Sequence, residues 1–522
     1  MLPEIPFKLT TPNIDNKILY GGTALIISDE FKKRIRNAEV LGKVCSAKEA
    51  ASFIKPGMTI GVSGFAVTGY TKEVAKELAS RAEAGEKLNL TVYSGASTGD
   101  EFDGVLARAG AISCRMPYQT NKELREAINE GKVKYLDLPI SNMAKWVRSR
   151  YLNHIDVAII EATAIDEKGN IIPSLAVGAD DTYVACADKI IVEVNTRIPA
   201  CVEGMHDIYT PEPAPFTKPI NITKAGDRIG TPYIPCSPAK IVAVVESNTL
   251  DRGIVAGVVD DEFRKMSENL ISFLKNEVKE GRLCNPLPPL QAGIGAVSDA
   301  VIQGLKESDF THLNVYSEVV QGSFLTLVDA GKIDSISGAG IAVSRAEMDD
   351  LYSKLERYKD KIVIRPMEIS NSPEVIRRLG VISINTAIEA DLYGNVDSSY
   401  IGGTRLMNGI GGSGDYCQNA GVSIFITKST AKDGKISSIV PIVSHIDHTI
   451  KNVQVLITEQ GVADLRGLDV IERANLIIDK CAHPKFRDEL KKYFSKAIVL
   501  SEHLVCPYSE EAAMMFHNRV EE

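Results

Sequence analysis

The chain has 522 residues, of which 44% are hydrophobic, 24% charged and 6% aromatic, a composition typical of a soluble globular protein. Its length is about twice what one hydrophobic core usually serves, so we expect two domains or more. Lys and Arg total 59 against 68 Asp and Glu, and the net charge of −9 provides no basic surface for nucleic acid. No apolar run approaches the roughly 20 residues needed to cross a bilayer, so we expect no membrane association either.

The cysteines and the N-terminal residues indicate a reducing compartment. Nine cysteines are scattered along the chain without a C-x-x-C pair, which favours neither a disulfide scaffold nor a zinc ribbon. The first thirty residues have no apolar signal core and carry four acids, Glu4, Asp15, Asp29 and Glu30. We expect a cytoplasmic location, with a mitochondrial or hydrogenosome-like matrix as the alternative.

In the first half of the chain, short runs of Val and Ile alternate with helical patterns. A strand at Met58–Val62 precedes a glycine loop and a helix over Lys72–Arg81. Further elements follow: strands at Leu88–Tyr93, Val157–Ile160, Ile190–Val194 and Ile241–Val245, and a helix at Lys122–Asn129. This alternation predicts an α/β fold with an open, mostly parallel sheet covered by helices.

The second half repeats this order. It begins with an amphipathic helix and continues through a glycine loop, a helix and a strand: Glu262–Glu280, Gly293–Gly295, Ser298–Leu305 and Leu313–Tyr316. The run Ile159–Ile171 also matches Ile384–Val396 at a constant offset of 225. We therefore predict two similar domains, although a chance match of two Gly-Asn turns is the alternative.

Proline-rich segments suggest where the two domains meet. Pro211–Pro219 and the turn Pro235–Pro238 both end the first half, so the boundary is placed near residue 235. The predicted domains are residues 1–235 and 236–522.

A glycine cluster, Gly409-Ile-Gly411-Gly412-Ser-Gly414, satisfies the dinucleotide pattern G-x-G-x-x-G. Only seven residues separate Gly414 from the next predicted strand, Val422–Thr427, which leaves no room for a crossover helix of about a dozen residues. A dense glycine loop can instead bring backbone N–H groups to an anion or an oxyanion, or can simply be a tight surface turn.

The segment His445-Ile-Asp447-His448 places two imidazoles and a carboxylate close together. The chain has no H-E-x-x-H motif, and no helical periodicity places the two rings on one face. We therefore expect hydrogen bonding within a loop and no metal site.

Two glutamates follow predicted strands in the second half. Glu318 follows the strand residues Asn314–Tyr316 after one intervening residue, Ser317. Glu459 directly follows the strand residues Val455–Thr458. Open α/β sheets bind ligands at the carboxyl ends of their strands, and a partly desolvated carboxylate there can act as a base or a nucleophile. A solvated glutamate at a strand end is the commoner alternative.

Ordered matches over roughly residues 30–485 resemble the acetyl-CoA hydrolase/transferase family, which belongs to the class I CoA-transferases. They are Gly61–Phe65, Tyr118-Gln119, Ile160–Ala162, Glu203–Asp207, Leu290–Ala296, Tyr316–Val319, Ile369–Glu374, Met407–Asp415, Ser444–His448 and Thr458–Gly467. The likeness is greatest to the subgroup that moves CoA between succinate and acetate.

The resemblance implies an enzyme with two halves of one open α/β fold and a ping-pong mechanism. A glutamate carboxylate attacks the acyl-CoA to give an acyl-glutamyl anhydride, and the released CoA thiolate converts this anhydride into a glutamyl-CoA thioester. The acceptor acid then attacks the thioester and reverses the two steps. CoA is then a substrate, no cofactor is permanently bound, the partners are acyl-CoA and small carboxylates, and a homodimer is expected.

The resemblance also assigns residues. The catalytic set comprises the nucleophile, a side-chain amide donor, a backbone donor and an acid that orients the carboxylic substrate: Glu318, Asn371, Gly412 and Glu459. Ile294 matches a second backbone donor. Positions that match CoA contacts are Leu290, Gln291, Ala292, Gly293, Ile294, Asn408, Gly412 and Lys432.

Two departures from the family pattern stand out. Gly322 occupies a position where an acid is expected, and Ile450-Lys451-Asn452 replaces an expected Glu-His-Asp. The alternatives to CoA transfer are acyl-CoA hydrolysis through the same glutamate, an NAD-linked oxidoreductase built on Gly409–Gly414, and a non-catalytic CoA-binding module.

Overall fold

Two large sheets of eight strands each form the centre of the molecule. The structure is a computed structural model that describes residues 17–20, 23–255, 257–501, 503–509 and 513. The largest hydrophobic cluster contains residues from both sheets, so the two halves of the chain pack directly against each other.

The N-terminal half contains the first sheet and a small hairpin. Its strands are β1 (Lys17–Tyr20), β2 (Thr23–Ile26), β3 (Thr59–Val62), β4 (Leu90–Ser94), β5 (Ile112–Met116), β6 (Lys134–Tyr135), β7 (Val157–Ile165), β8 (Ile171–Pro173), β9 (Lys189–Asn195) and β10 (Ile241–Ser247). Its helices are α1 (Asp29–Arg34), α2 (Ala38–Leu41), α3 (Ala47–Ala51), α4 (Glu73–Glu83), α5 (Val105–Arg108), α6 (Lys122–Asn129), α7 (Ile140–Arg148) and α8 (Asp180–Cys186).

The C-terminal half contains the second sheet and several short ribbons. Its strands are β11 (Leu290–Ala292), β12 (Leu313–Tyr316), β13 (Val319–Gln321), β14 (Ile333–Gly338), β15 (Gly340–Ala342), β16 (Ile362–Ile364), β17 (Ile382–Thr386), β18 (Glu389–Asp391), β19 (Val396–Asp397), β20 (Tyr400–Ile401), β21 (Arg405–Leu406), β22 (Val422–Ile426), β23 (Thr430–Ala431), β24 (Ile436–Ser437), β25 (Ile439–Val440), β26 (Val455–Thr458) and β27 (Gly461–Asp464). Its helices are α9 (Asp261–Lys279), α10 (Ala296–Glu307), α11 (Gly322–Asp329), α12 (Met348–Tyr358), α13 (Met367–Ser370), α14 (Pro373–Leu379), α15 (Ser413–Asn419), α16 (Val470–Lys480) and α17 (Pro484–Leu500).

The two sheets have the same connectivity, which confirms the predicted fold class. The first sheet has the order β10-β9-β7-β3-β4-β5-β6, with β8 antiparallel beside β7. The second has the order β26-β22-β17-β11-β12-β14-β16, with β27 antiparallel beside β26. In each sheet the chain starts in the middle, moves to one edge and then returns to fill the other side, which creates a topological switch point at β3 and at β11.

The predicted repeat corresponds to equivalent strands and loops of the two sheets. Val157 and Ile382, which begin β7 and β17, are separated by the same offset of 225. After each strand an aspartate closes a tight loop, because Asp166 accepts a hydrogen bond from the Asn170 backbone N–H at 2.8 Å and Asp391 accepts one from Asn395 at 2.8 Å. The matched Asp, Gly and Asn residues therefore build the same turn twice.

Strand register identifies the position in the first half that corresponds to Glu318. In each sheet, one residue of the central strand pairs with both neighbouring strands: Ile60 with Val157 and Val92, and Leu290 with Ile382 and Val315. Val92 therefore corresponds to Val315, and Gly95 corresponds to Glu318. A Cβ at Gly95 would lie 2.8 Å from the Cα of Gly178, so the first half is closely packed where the second half carries a carboxylate.

The first sheet extends beyond the predicted boundary. Strand β10 follows residue 235 and pairs in parallel with β9. The chain therefore leaves the first sheet after Ser247, and it enters the second sheet at Leu290. The division of the chain into residues 1–235 and 236–522 stays a prediction.

Local sequence signals explain several of the predicted elements. Asn121 caps α6 by accepting the backbone N–H of Leu124, and Asp260 caps α9 by accepting that of Phe263. The residues of β3, β7 and β22 are all buried, as expected for central strands covered on both faces. Among the described helices, none has the length and apolar character needed to span a bilayer.

Candidate active site

A cavity of about 800 Å³ opens between the two halves at the carboxyl ends of the central strands. Residues at or just after the carboxyl ends of β11, β12 and β17 line it from the C-terminal half, among them Gly293, Glu318 and Asn385. Residues 96–100, 118 and 120–123 line it from the N-terminal half. The cavity therefore lies at the topological switch point of the second sheet, where open α/β folds bind their ligands.

Glu318 lies at this cavity between β12 and β13 and is half-buried. Its backbone is fixed because its carbonyl accepts the N–H of Ala339 at 2.8 Å. The side-chain amide of Asn371 donates to Oε2 at 3.0 Å, and the backbone N–H of Gly412 also donates to the carboxylate. Three of the predicted catalytic residues therefore lie together.

The surroundings of Glu318 determine its acidity. Burial raises the pKa of Glu318 to about 7, and the negative charge of Asp415 adds to this increase. The hydrogen bonds from Asn371 and Gly412 act in the opposite direction, because they stabilise the charged form. The carboxylate thus has a perturbed pKa, lies in a cleft and is held by two donors, a combination that is typical of reactive groups.

Asn371 follows helix α13 and is fully buried directly behind Glu318. Its Oδ1 accepts the hydroxyl of Ser370 at 2.8 Å, and its Nδ2 lies 3.3 Å from Oδ2 of Asp415. Both sides of the amide are therefore engaged, and its donor group is turned toward Glu318.

The glycine cluster passes over Glu318 and is held by the N-terminal half. Asp137 accepts the backbone N–H of Ile410 at 3.0 Å, and the hydroxyl of Tyr135 donates to the carbonyl of Asn408 at 2.6 Å. Helix α15, which follows the cluster, has seven residues. The segment before β22 therefore holds a short helix, although it is too short for the crossover helix of about a dozen residues that a dinucleotide site requires. The cluster brings the N–H of Gly412 to a carboxylate and so has the geometry of an anion-binding loop.

The predicted CoA contacts fall into two groups. Most of them line the cavity: Gln291, Ala292, Gly293, Ile294, Asn408 and Gly412. Asn408 also donates from Nδ2 to the Tyr118 hydroxyl at 2.8 Å. Leu290 is buried within β11, and Lys432 is exposed in the turn between β23 and β24 with a φ of 47°.

Glu459 lies outside the lining of this cavity. Among the described residues that line it, Lys432 is absent as well. Its carboxylate accepts the backbone N–H of Ser429 at 2.9 Å and the amide of Gln460 at 2.9 Å. Burial would raise the pKa of Glu459, but these bonds and the Ser429 hydroxyl hold it below its usual range. The structure therefore shows a charged glutamate fixed by its neighbours, and its predicted role in orienting substrate stays a prediction.

The two departures from the family pattern lie outside the cavity. Gly322 begins α11, and a Cβ there would lie 3.0 Å from Oε1 of Glu347, so an acidic side chain would face another carboxylate. Lys451 is exposed in a turn before β26.

The His445–His448 segment supports the glycine cluster. Nε2 of His448 lies 3.1 Å from the Ser413 hydroxyl, and Asp447 accepts the backbone N–H of Ser398 at 2.7 Å. In the part of the chain that the structure describes, no group of three His, Cys, Asp or Glu side chains could hold a metal ion.

Several residues of the site were not singled out from the sequence. Tyr118 and Ser141 come from the N-terminal half, where the Ser141 hydroxyl donates to Asp415, and Asp415 lies in the first turn of α15. Tyr118 and Asp415 fall within segments that carry the family resemblance, but nothing in their local sequence indicates a contact with the other half of the chain.

The comparisons with known proteins agree with this geometry. The N-terminal domain of the acetyl-CoA hydrolase/transferase family matches residues 28–246, and the C-terminal domain of the same family matches residues 348–494. The succinyl-CoA:acetate CoA-transferase of Clostridium kluyveri is 48% identical over 489 residues, covering 94% of this chain and 91% of that protein. The chain therefore belongs to the acetyl-CoA hydrolase/transferase family and is an enzyme of that family.

Among the other relatives, some are named as CoA-transferases and others as acetyl-CoA hydrolases. The propanoyl-CoA:succinate CoA transferase of Escherichia coli is 41% identical over 457 residues, covering 87% of this chain and 93% of that protein. The acetyl-CoA hydrolase of Saccharomyces cerevisiae is 39% identical over 516 residues, covering 95% of this chain and 98% of that protein.

Solved structures show the same fold. RipA from Yersinia pestis has a TM-score of 0.68 at 21% identity, with 90% of this chain and 98% of that chain covered. A 4-hydroxybutyrate CoA-transferase from Porphyromonas gingivalis has a TM-score of 0.60 at 20% identity, with 89% and 98% covered.

Substitution of Gly412 tests the close approach of the glycine cluster to Glu318. A Cβ at this position would lie 1.4 Å from Glu318 Oε2 and 2.4 Å from Asn371 Nδ2, although the backbone angles suit any residue. We predict that Gly412→Ala lowers kcat by at least about 100-fold, because the donor and the carboxylate cannot keep their positions.

The matched control is Gly414→Ala, whose Cβ would meet only the flexible Ile410 side chain, at 3.0 Å. We expect this variant to keep most of its activity. Both variants are checked by steady-state kinetics and thermal unfolding, and normal kcat in a folded Gly412→Ala enzyme would contradict the geometry.

The pH dependence of acyl-CoA turnover tests the environment of Glu318. Since burial raises its pKa to about 7, the carboxyl group is protonated below that pH and charged above it. We predict that kcat/KM rises with pH, by tenfold per unit at the acidic end, and levels off above about 7. A profile that stays flat from about pH 5 to about pH 9 in the free enzyme would contradict this prediction.

Proposed function

We propose that this enzyme transfers CoA between short-chain carboxylates, with succinyl-CoA and acetate as the leading pair, through a glutamyl-CoA thioester on Glu318. The observation that carries the proposal is the carboxylate of Glu318 at the cavity, held by the Asn371 amide and the Gly412 N–H. The names of the relatives in Clostridium kluyveri and Escherichia coli support a transferase.

The proposed reaction begins with attack by Oε1 of Glu318, since Oε2 is held by Asn371. Oε1 bonds to the carbonyl carbon of the acyl-CoA, the carbon–sulfur bond breaks, and the CoA thiolate leaves an acyl-glutamyl anhydride. The thiolate then bonds to the Cδ of Glu318 and expels the first carboxylate, which gives the glutamyl-CoA thioester. The acceptor carboxylate reverses both steps, so that the free Glu318 carboxylate is regenerated.

The donors at Glu318 suit the tetrahedral intermediates of this sequence. Each attack on the glutamyl carbonyl places negative charge on its oxygen, where Asn371 and Gly412 already direct N–H groups. Removal of one such donor from an oxyanion site costs about 2.7 to 4 kcal/mol in other enzymes. The resemblance adds the N–H of Ile294, a residue that lines the cavity, as a further backbone donor to these intermediates.

The cavity also suits an anionic substrate with a long arm. Its volume is about 800 Å³, and its lining includes three cations, Arg108, Lys122 and Arg252, together with the acids Asp100 and Glu123. The side chain of Arg252 is 59% exposed. Because Arg108 pairs with Asp100 at 2.8 Å, the exposed Arg252 is the cation best placed to meet a CoA phosphate, while the small residues Ala292 and Gly293 leave space near Glu318.

Acetyl-CoA hydrolysis is the second candidate, because relatives such as the Saccharomyces cerevisiae protein are named for it. In that reaction water in place of an acid attacks the same covalent intermediate, so Glu318 keeps its role. A steady-state assay with and without acetate separates the two, since only a transferase converts succinyl-CoA to acetyl-CoA in proportion to acetate. The homodimer, the cytoplasmic location and the roles of Lys432 and Glu459 stay predictions.

The nucleophile is tested by Glu318→Gln. Because glutamine preserves the shape and lacks the reactive carboxylate, we predict that transfer falls below a few per cent of the wild-type kcat, while folding and CoA affinity remain close to wild type. Transfer is measured by the acetate-dependent formation of acetyl-CoA, and CoA affinity by titration calorimetry. Substantial turnover in a preparation free of wild-type enzyme would refute the assignment.

A further inference from the structure

A second buried carboxylate lies directly behind the Glu318 site. Asp415 is in the first turn of α15 and is 5% exposed. Ser141, which belongs to α7 of the N-terminal half, donates to it twice: its backbone N–H to Oδ2 at 3.1 Å and its hydroxyl to Oδ1 at 2.5 Å. The carboxylate is therefore anchored across the contact between the two halves.

Asn371 connects this carboxylate to Glu318. Its Nδ2 lies 3.0 Å from Glu318 Oε2 and 3.3 Å from Asp415 Oδ2, so the two N–H bonds of one amide serve two carboxylates. Rotation of the amide by half a turn would place Oδ1 against both negative charges and would lose the bond from Ser370. The arrangement therefore permits one orientation of Asn371.

We propose that Asp415 is a positioning residue: anchored on Ser141, it holds the Asn371 amide so that Nδ2 donates to Glu318. This inference rests on the proposed role of Glu318 as the nucleophile. It also gives the N-terminal half a direct part in the chemistry of the C-terminal half, because the anchor comes from α7.

Charge gives Asp415 a second effect on the same group. Burial raises the pKa of Asp415 to about 6, while hydrogen bonds from Ser141 and Asn371 lower it, so this group is charged at neutral pH. Its negative charge raises the pKa of Glu318, which makes that carboxylate more basic. Among the described residues, the buried tyrosines Tyr118 and Tyr416 interact with the charge of Glu318. Burial raises the pKa of both above the usual range, so both stay neutral.

Two substitutions separate position from charge. Asp415→Ala removes the acceptor for Asn371, and we expect kcat to fall about 10- to 100-fold with CoA affinity unchanged. Asp415→Asn keeps an oxygen for Asn371 and can donate its amide to the Ser141 hydroxyl, so we expect kcat at high pH to stay within a few-fold of wild type. Without the charge, however, the acidic limb of its pH profile should move to lower pH.

The double variant Asn371→Ala/Asp415→Ala tests whether Asp415 acts through Asn371. If it does, the double variant at high pH, where the charge of Asp415 is not needed for kcat, is no slower than Asn371→Ala alone, whereas independent effects would multiply. The matched control is Asp391→Asn, since Asp391 is buried in the same half and binds backbone N–H groups of its own loop, such as that of Gly394 at 2.9 Å. This control is expected to affect thermal stability without moving the pH profile.

The titration of Glu318 can also be followed without turnover, by NMR of protein labelled at the glutamate Cδ and assigned with Glu318→Gln. A lower Glu318 pKa in Asp415→Asn, together with non-multiplying kcat losses, supports the proposal. An unchanged Glu318 titration, or full activity in folded Asp415→Ala, overturns it. Absence of a CoA adduct on wild-type Glu318 would instead overturn the proposed function, and the titration would still test the coupling.

Discussion

A carboxylate is a poor nucleophile in water, and this site keeps Glu318 partly out of water without removing its charge. Burial alone would favour the neutral acid, and it raises the Glu318 pKa to about 7. The N–H groups of Asn371 and Gly412 oppose that effect because they bind the charged form. The same two donors face the atoms where negative charge would develop during attack at Cδ, so one arrangement serves both the resting group and the reaction.

The two halves of the chain share a fold but have different parts in the site. The C-terminal half carries the carboxylate, whereas Gly95 occupies the corresponding position of the N-terminal half and is closely packed against Gly178. The N-terminal half instead holds the glycine cluster, through Asp137 at Ile410, and covers the cavity from the opposite side. The position of the Gly412 N–H therefore depends on how the two halves pack against each other.

Much of the fold and part of the site could be predicted from the sequence. The repeat, the alternation of strands and helices, and the position of Glu318 after β12 follow from local apolar runs and turns. Strand β5 was not predicted, because the charged Arg115 interrupts its apolar pattern. The structure buries this charge in an ion pair with Asp103, which the sequence does not indicate. Contacts such as Ser141 with Asp415 join residues 274 positions apart, so they depend on tertiary packing that no local pattern records.

The covalent intermediate is the most direct test of this account. Wild-type enzyme is incubated with acyl-CoA in the absence of an acceptor acid, and its intact mass is measured. The account predicts a CoA-sized increment that maps to the peptide containing Glu318, disappears when acetate or succinate is added, and is absent from Glu318→Gln. An increment on a cysteine would be a mixed disulfide, which a reductant removes. Normal turnover with no adduct on Glu318 would contradict the central claim that this carboxylate carries CoA.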